Sequence, residues 1–264
     1  MPTFGIARVK DELDVIESTV RRMLEQVDRV LVVDNASTDG TRELLRELSL
    51  GAPSLFPDLV VLDDPDVAYY QSERMTELAA DAARRGASWV VPFDADEVWR
   101  ATDGRRIADV LAELPSNVAL ANARLYDHVA TGDDDELELD PVARMRYRRL
   151  ERGALPKCAV RVAAPVVIEQ GNHGAHYPAD AVDGLLEVRH YPYRSVEQFV
   201  SKARNGAAAY AATTLPETTG QHWRDYGRLL DAGGPAAIEA VFREHFYSPD
   251  PGRDRGLILD PVDL

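Results

Sequence analysis

Over the first hundred residues, short apolar runs alternate with stretches whose apolar positions recur at helical spacing. Phe4 to Val9 runs into polar Lys10-Asp11-Glu12 and predicts a strand. Leu13, Ile16, Val20, Met23, Leu24 and Val27 then fall on one face of a helix. Val30-Leu31-Val32-Val33 is apolar and mostly β-branched, which predicts a buried second strand. Asp34-Asn35-Ala36-Ser37-Thr38-Asp39-Gly40-Thr41, dense in turn and capping residues, closes it, and Leu44, Leu45 and Leu48 resume the helical spacing. Leu59 to Leu62 predicts a third strand. A helix from about Ser72 to Arg85 carries Met75, Leu78, Ala79, Ala82 and Ala83 on its apolar side. Trp89 to Phe93 predicts a fourth, buried strand that stops abruptly in Asp94-Ala95-Asp96-Glu97.

This alternation is the signature of an α/β fold with a mostly parallel sheet and right-handed crossovers. Residues 1–100 therefore read as a βαβ half of the nucleotide-binding type, with Glu12, Asp34, Asp94 and Asp96 converging at one edge of the sheet. Beyond residue 100 the pattern changes. Ile107 to Leu114 suits a short helix, while Val118 to Tyr126, Val142 to Leu150, Ala159 to Ile168 and Leu185 to Tyr191 predict strands of a mixed-sheet continuation. Gly132-Asp133-Asp134-Asp135-Glu136 reads as a solvated turn. Ser195-Val196-Glu197-Gln198 fits a capping box opening a helix to about Ala212. From His222 onward we expect at most a helix pair and a Pro/Gly/Asp-rich end. The expected organisation is residues 1–100, then 101–212 as the second half of the same domain, then a helical extension over 213–264.

Composition narrows the partners. A net charge of −15 argues against phosphate-backbone binding, so no nucleic acid is expected, and against anionic membranes. Cys158 is the single cysteine, which leaves no intramolecular disulfide and no cysteine-based zinc site. No run approaches the roughly 20 apolar residues needed to span a bilayer, and no signal peptide is visible, so the expected location is cytoplasmic, without membrane insertion.

Two acids one residue apart at a strand end repel unless a cation or donors offset them. The capping interpretation explains Asp39-Gly40-Thr41 well and Asp34 poorly, since an Asp closing a buried strand can instead accept from a ribose or a base imide. The segment Val33 to Thr41, about 60 residues before Asp94-Ala95-Asp96, closely resembles the family 2 glycosyltransferases. The resemblance spans roughly residues 3 to 205. It implies the type-A glycosyltransferase fold, with a nucleotide-sugar-binding half and an acceptor-binding half. It further implies a nucleoside-diphosphate sugar donor (UDP, GDP or dTDP), and Mn²⁺ or Mg²⁺ on the diphosphate. Asp34 would then contact the base or ribose, with Asn35 beside it; Asp96 would bind the cation, and Asp94 would bind the cation, the donor ribose or the sugar, with Ala95 between the two acids. Ala7, Arg8 and Glu12 resemble the family's nucleotide-contacting segment. Arg74 is a candidate for the diphosphate, although an exposed helical Arg also explains it.

The later half carries His173, His176 and His190. By resemblance to family members that add a histidine ligand from this region, His190 is the favoured metal ligand and His173 the second choice. The family's late acidic pair has no clean copy here. Glu169, His173, Asp180, Asp183 and Glu187 are candidates for the base that takes the acceptor proton, His173 and Glu169 the best placed. The leading expectation is a metal-dependent, inverting transfer to a small-molecule or oligosaccharide acceptor. Two alternatives stand beside it. Asp94-Ala95-Asp96-Glu97-Val98 also matches the nucleophile motif of haloacid-dehalogenase-type phosphatases, with Asp94 as nucleophile and Lys157 or Lys202 as the required lysine. A transferase fold that has lost activity and only binds is the other.

Overall fold

The computed structural model describes residues 1–51, 58–66, 68–163, 165–176 and 179–262. Strand β1 (Thr3–Val9) is followed by α1 (Ile16–Gln26), β2 (Arg29–Asp34), α2 (Thr41–Gly51), β3 (Leu59–Asp63), α3 (Gln71–Arg84) and β4 (Trp89–Pro92), as the apolar spacing predicts. Then come β5 (Glu97–Ala101), α4 (Ile107–Ala112), β6 (Val118–Thr131), α5 (Pro141–Arg144), β7 (Tyr147–Arg149) and β8 (Lys157–Arg161). The chain continues through β9 (Val167–Ile168), β10 (Ala175–His176), β11 (Asp180–His190), α6 (Val196–Ala211), α7 (Gln221–His245), β12 (Tyr247–Ser248) and β13 (Leu257–Leu259). Contacts divide it into two compact units. One comprises Met1–Pro65, Gln71–Tyr126 and Arg152–His190, and the other Asp66–Tyr70, Asp127–Glu151 and Tyr191–Leu264.

In the first unit β1 lies between β2 and β4 and is parallel to both, and β3 adds in parallel to β2. β8 runs antiparallel to β4, and the first part of β6 runs antiparallel to β8. Period-2 alternation gives this sheet two buried faces. Ala7, Val9, Val30, Val32, Trp89, Val91 and Phe93 share a core with Ile16, Val20 and Met23 of α1, Leu45 and Leu48 of α2, and Ile107 and Leu111 of α4. Phe4, Ile6, Leu31 and Val90 share the other with Met75, Leu78, Ala79 and Ala82 of α3. Helices on both faces are what right-handed crossovers produce. Gly5 is required by the close approach of α1, because a Cβ there would stand 2.8 Å from Met23 Cγ. β11 pairs with β5 and β6, so the sheet is mixed beyond β4.

In the second unit, β7 pairs antiparallel with the later part of β6, β13 with β7, and β12 in parallel with the end of β6. Ser195 caps α6 as its sequence predicts, its hydroxyl accepting from Gln198 N at 3.1 Å. The helical region from Gln221 to His245 kinks at Gly234, where φ is +66°, just before Pro235. The rings of Tyr193 and Phe246 lie tilted at 34° with centroids 3.9 Å apart, and Phe199 meets Tyr226 edge-on at 5.0 Å.

Several elements differ from expectation. The strand expected over Val142–Leu150 begins instead as helix α5, because Asp140 accepts from Val142 N at 3.0 Å and Pro141 supplies the first helical φ. Only Tyr147–Arg149 remains extended. The strand expected over Ala159–Ile168 is split into β8 and β9, and residue 164 within it lies outside the described residues. β5 was not expected, since its run opens on a glutamate. In the tail, β12 and β13 add two short strands after the helices.

Candidate active site

The parallel register places the ends of β1 and β2 side by side. Val9 and Asp34 are partners, and Asn35 N donates to Val9 O at 2.8 Å. The two loops that leave these strands are laced together. Asp11 N donates to Ser37 Oγ at 3.0 Å, Glu12 N to Thr41 Oγ1 at 2.9 Å, and Leu13 N to Asp39 Oδ2 at 3.0 Å. Asp39 Oδ1 accepts from Thr41 N at 2.9 Å, and Lys10 Nζ donates to the carbonyls of Asn35 and Ala36, each at 3.0 Å. Capping therefore accounts for Asp39 to Thr41, and it also orders the first loop. It does not account for Asp34. That side chain is 1% exposed, Oδ2 accepts from Ser37 N at 3.1 Å, and Oδ1 is buried with no hydrogen-bond partner among the described residues. A buried acceptor left open in the free protein is costly, and such groups call for an explanation.

The neighbours expected around Asp34 are placed unevenly. Ala7 is fully buried in the core and presents no surface. Asn35 donates its side-chain amide to Asp64 O at 3.0 Å. Arg8 Nε meets Asp64 Oδ2 at 3.0 Å, and Arg74 Nε lies 3.7 Å from the same oxygen. Arg8 and Arg74, far apart in sequence, thus converge on one carboxylate whose backbone N donates to Asp34 O at 2.8 Å. Glu12 lies in the turn before α1, its carbonyl accepting from Val15 N at 3.1 Å and Ile16 N at 3.0 Å.

The turn after β4 holds three acids in different environments. Asp94 Oδ2 pairs with Lys157 Nζ at 2.7 Å, and its Oδ1 accepts from Asn172 Nδ2 at 3.0 Å and Gln71 Nε2 at 3.3 Å. Glu97 is fully buried, with Lys157 Nζ at 2.7 Å from Oε1 and Trp99 Nε1 at 3.1 Å from Oε2. Burial works to lower the Lys157 ammonium, but Asp94 and Glu97 outweigh it and hold the group charged. Burial pushes the Glu97 carboxyl up, opposed by the Lys157 charge. Ala95 is buried, and its carbonyl accepts from Thr19 Oγ1 at 2.7 Å, which anchors the turn to α1.

Asp96 meets a histidine through strand register. β11 runs antiparallel to β5 with His190 opposite Glu97, which brings His190 Nε2 to 3.6 Å from Asp96 Oδ1. Two donors to one cation at about 2.1 Å each stand about 3 to 4 Å apart, so this carboxylate–imidazole pair fits a shared ion. Among the described residues, no group of three or more His, Cys, Asp and Glu side chains is arranged around a metal position.

The loop between β9 and β10 carries the remaining candidates. Gly171 and Asn172 both have positive φ, +77° and +58°. His173 is half-buried, and its Nδ1 stands 3.0 Å from Pro156 O. A carbonyl only accepts, so Nδ1 carries the proton and Nε2 keeps the lone pair. Burial, then the nearby Lys157 charge, holds this imidazole below its ordinary value, against the pull of the Pro156 carbonyl and Asp94. Glu169 lies beside it in sequence, 3.6 Å from the exposed His176 Nε2. Sequence reasoning paired Lys157 with Asp94 only under the phosphatase alternative, and missed Gln71, Asn172 and Glu97 as parts of this cluster. The signals available were a lysine in a chain almost without them and a Gly-Asn pair suited to positive φ.

The family model for glycosyl transferase family 2 matches residues 6–158, more than half of the chain. The chain belongs to glycosyl transferase family 2. It is therefore a glycosyltransferase of the type-A fold, and the matched region includes β4 and the Asp94–Asp96 turn. The haloacid-dehalogenase alternative needed Asp94 to meet a lysine, and Lys157 does meet it, but the family match assigns this segment to a transferase. Similar solved structures include the mannosyltransferase PcManGT from Pyrobaculum calidifontis, in complex with GDP-Man and Mn²⁺. It is 17% identical, with 92% of this chain and 74% of that one covered and a TM-score of 0.47. S. aureus TarS is 12% identical, with 84% of this chain covered and a TM-score of 0.42; the chain spans only 42% of that protein. No curated protein matches this sequence. No helix among the described residues is long and apolar enough to cross a membrane.

Proposed function

We propose that this family 2 glycosyltransferase moves a sugar, with inversion, from a nucleoside-diphosphate sugar to a hydroxyl of a small-molecule or oligosaccharide acceptor in the cytoplasm. The observation that carries the reading is the open, buried Oδ1 of Asp34 on the strand edge formed by β1, β2 and β4. An imide N–H or a ribose hydroxyl supplies the donor that this oxygen lacks. Glu12 and Asn35 are the further candidates for the nucleotide, and Arg8 and Arg74, which meet at Asp64, are the candidates for the diphosphate. Asp96 and His190 are the residues that would hold Mn²⁺ or Mg²⁺, and the imidazole nitrogen favours Mn²⁺. When bound there, the ion would neutralise charge developing on the diphosphate. Asp94, fixed by three donors, accepts from a hydroxyl of the donor ribose or sugar.

In the transfer, the acceptor oxygen bonds to the anomeric carbon as the bond to the diphosphate oxygen breaks. The acceptor proton passes to His173 Nε2, the base whose tautomer the Pro156 carbonyl sets. Glu169 is the second candidate for that proton. A melting panel of UDP, GDP and dTDP sugars with and without Mn²⁺ tests the reading. One donor should raise the melting temperature only with the ion, by mass action. No shift with any donor would overturn the reading.

A further inference from the structure

Of the thirty lysines and arginines in this chain, only three are lysines, and Lys157 is one of them. Its side chain is 4% exposed. Its ammonium donates to Asp94 Oδ2 at 2.7 Å and to Gly171 O at 2.8 Å, and forms an ion pair with Glu97 Oε1 at 2.7 Å. A planar guanidinium does not present three donors around a point, which gives a physical reason for a lysine at this position of an arginine-rich chain. Buried and held by these three contacts, Lys157 is not presented to a substrate.

Its partners belong to two different elements. Asp94 and Glu97 lie in the turn after β4, while Gly171 lies in the loop that carries His173. Other bonds run parallel to this link. Asn172 Nδ2 reaches Asp94 Oδ1 at 3.0 Å, Gly171 N donates to Gln71 Oε1 at 2.7 Å, and Gln71 Nε2 lies 3.3 Å from Asp94 Oδ1. The loop keeps two successive residues at positive φ, one of them the fully buried Asn172, a conformation that persists only where the surroundings over-determine it.

We propose that Lys157 is a positioning residue that locks the Asp94 turn to the Gly171–His173 loop, so that the donor-sugar contact and the proton-accepting imidazole keep one fixed spacing. The functional half of this inference rests on the roles given to Asp94 and His173 above; the mechanical link does not.

Lys157→Met, Asp94→Asn and the double variant test it in two ways. Hydrogen exchange reads the link without any substrate. In Lys157→Met the amides of residues 170–173 should exchange at least about tenfold faster, while those of β1 and β2 keep their protection. Turnover of UDP-glucose, GDP-mannose and dTDP-glucose with Mn²⁺ reads the consequence. Lys157→Met should lower kcat about 100-fold, with the Kd for the free nucleoside diphosphate within about threefold of wild type. In the Asp94→Asn background the same change should cost less than about threefold more, because the two act as a unit. Unchanged exchange in the loop, or full additivity in the double variant, would overturn the proposal. If wild type turns over none of the three donors, the assigned function fails, and the exchange result still decides the link. Should Lys157→Met not fold, Asn172→Ala cuts the same connection from the loop side and is read by the same two measurements.

Discussion

Replacing Asp34 by alanine separates a functional acid from a structural one. In the free protein this carboxylate makes one hydrogen bond, from Ser37 N, and keeps a second oxygen buried without a partner among the described residues. Losing the Ser37 bond to this charged group costs about 1.5 to 3 kcal/mol, and removing the open acceptor returns about 1 to 3 kcal/mol of desolvation penalty. The two nearly cancel, so Asp34→Ala should change stability by no more than about 2 kcal/mol, in either direction. Binding answers differently. A hydrogen bond from the ligand to a charged, buried acceptor is worth about 1.5 to 3 kcal/mol, so the Kd of the cognate nucleoside diphosphate should rise about 10- to 150-fold. Urea unfolding gives the first quantity and calorimetry with UDP, GDP and dTDP in Mn²⁺ gives the second. A variant destabilised by more than about 2 kcal/mol with its affinity intact would make Asp34 a capping residue only, and not a nucleotide contact.

Other perturbations follow from the same geometry. Gly171→Ala forces a side chain into left-handed backbone and puts its Cβ 2.5 Å from His173 Cδ2; kcat should fall at least about tenfold with a stability loss of about 1 to 2 kcal/mol, read by turnover and urea unfolding. His173 is held below its ordinary value in the folded state, so between that depressed value and the ordinary one the unfolded chain binds more protons. Its contribution to stability is therefore present above the ordinary imidazole value and is lost as pH falls through that window. The acid limb of kcat/KM should lie below the ordinary imidazole range and disappear in His173→Ala. Ser195→Ala removes the cap on α6 and should cost about 1 kcal/mol in urea unfolding.

The parallel half of the fold was legible because its strands are contiguous apolar runs and its helices keep a clean 3.6 spacing. Asp34, Asp94 and Asp96 could be singled out because each follows such a run. What the pattern concealed depends on pairing between distant segments. His190 reaches Asp96 only through the β5–β11 register, and β5 starts on a buried glutamate that reads as polar. Lys157 meets Asp94 across 63 positions, a contact that no local period encodes. The segment Asp140-Pro141 carried a readable helix start, yet the β-branched and aromatic residues after it suggested a strand.

The proposed transfer requires Asp96 and His190 to share an ion with the donor. Calorimetry of Mn²⁺ with the cognate nucleoside diphosphate should show tight ion-dependent binding in wild type and a loss of at least about 100-fold in both Asp96→Asn and His190→Gln. Equal affinity with and without Mn²⁺, or variants that bind as wild type does, would contradict it.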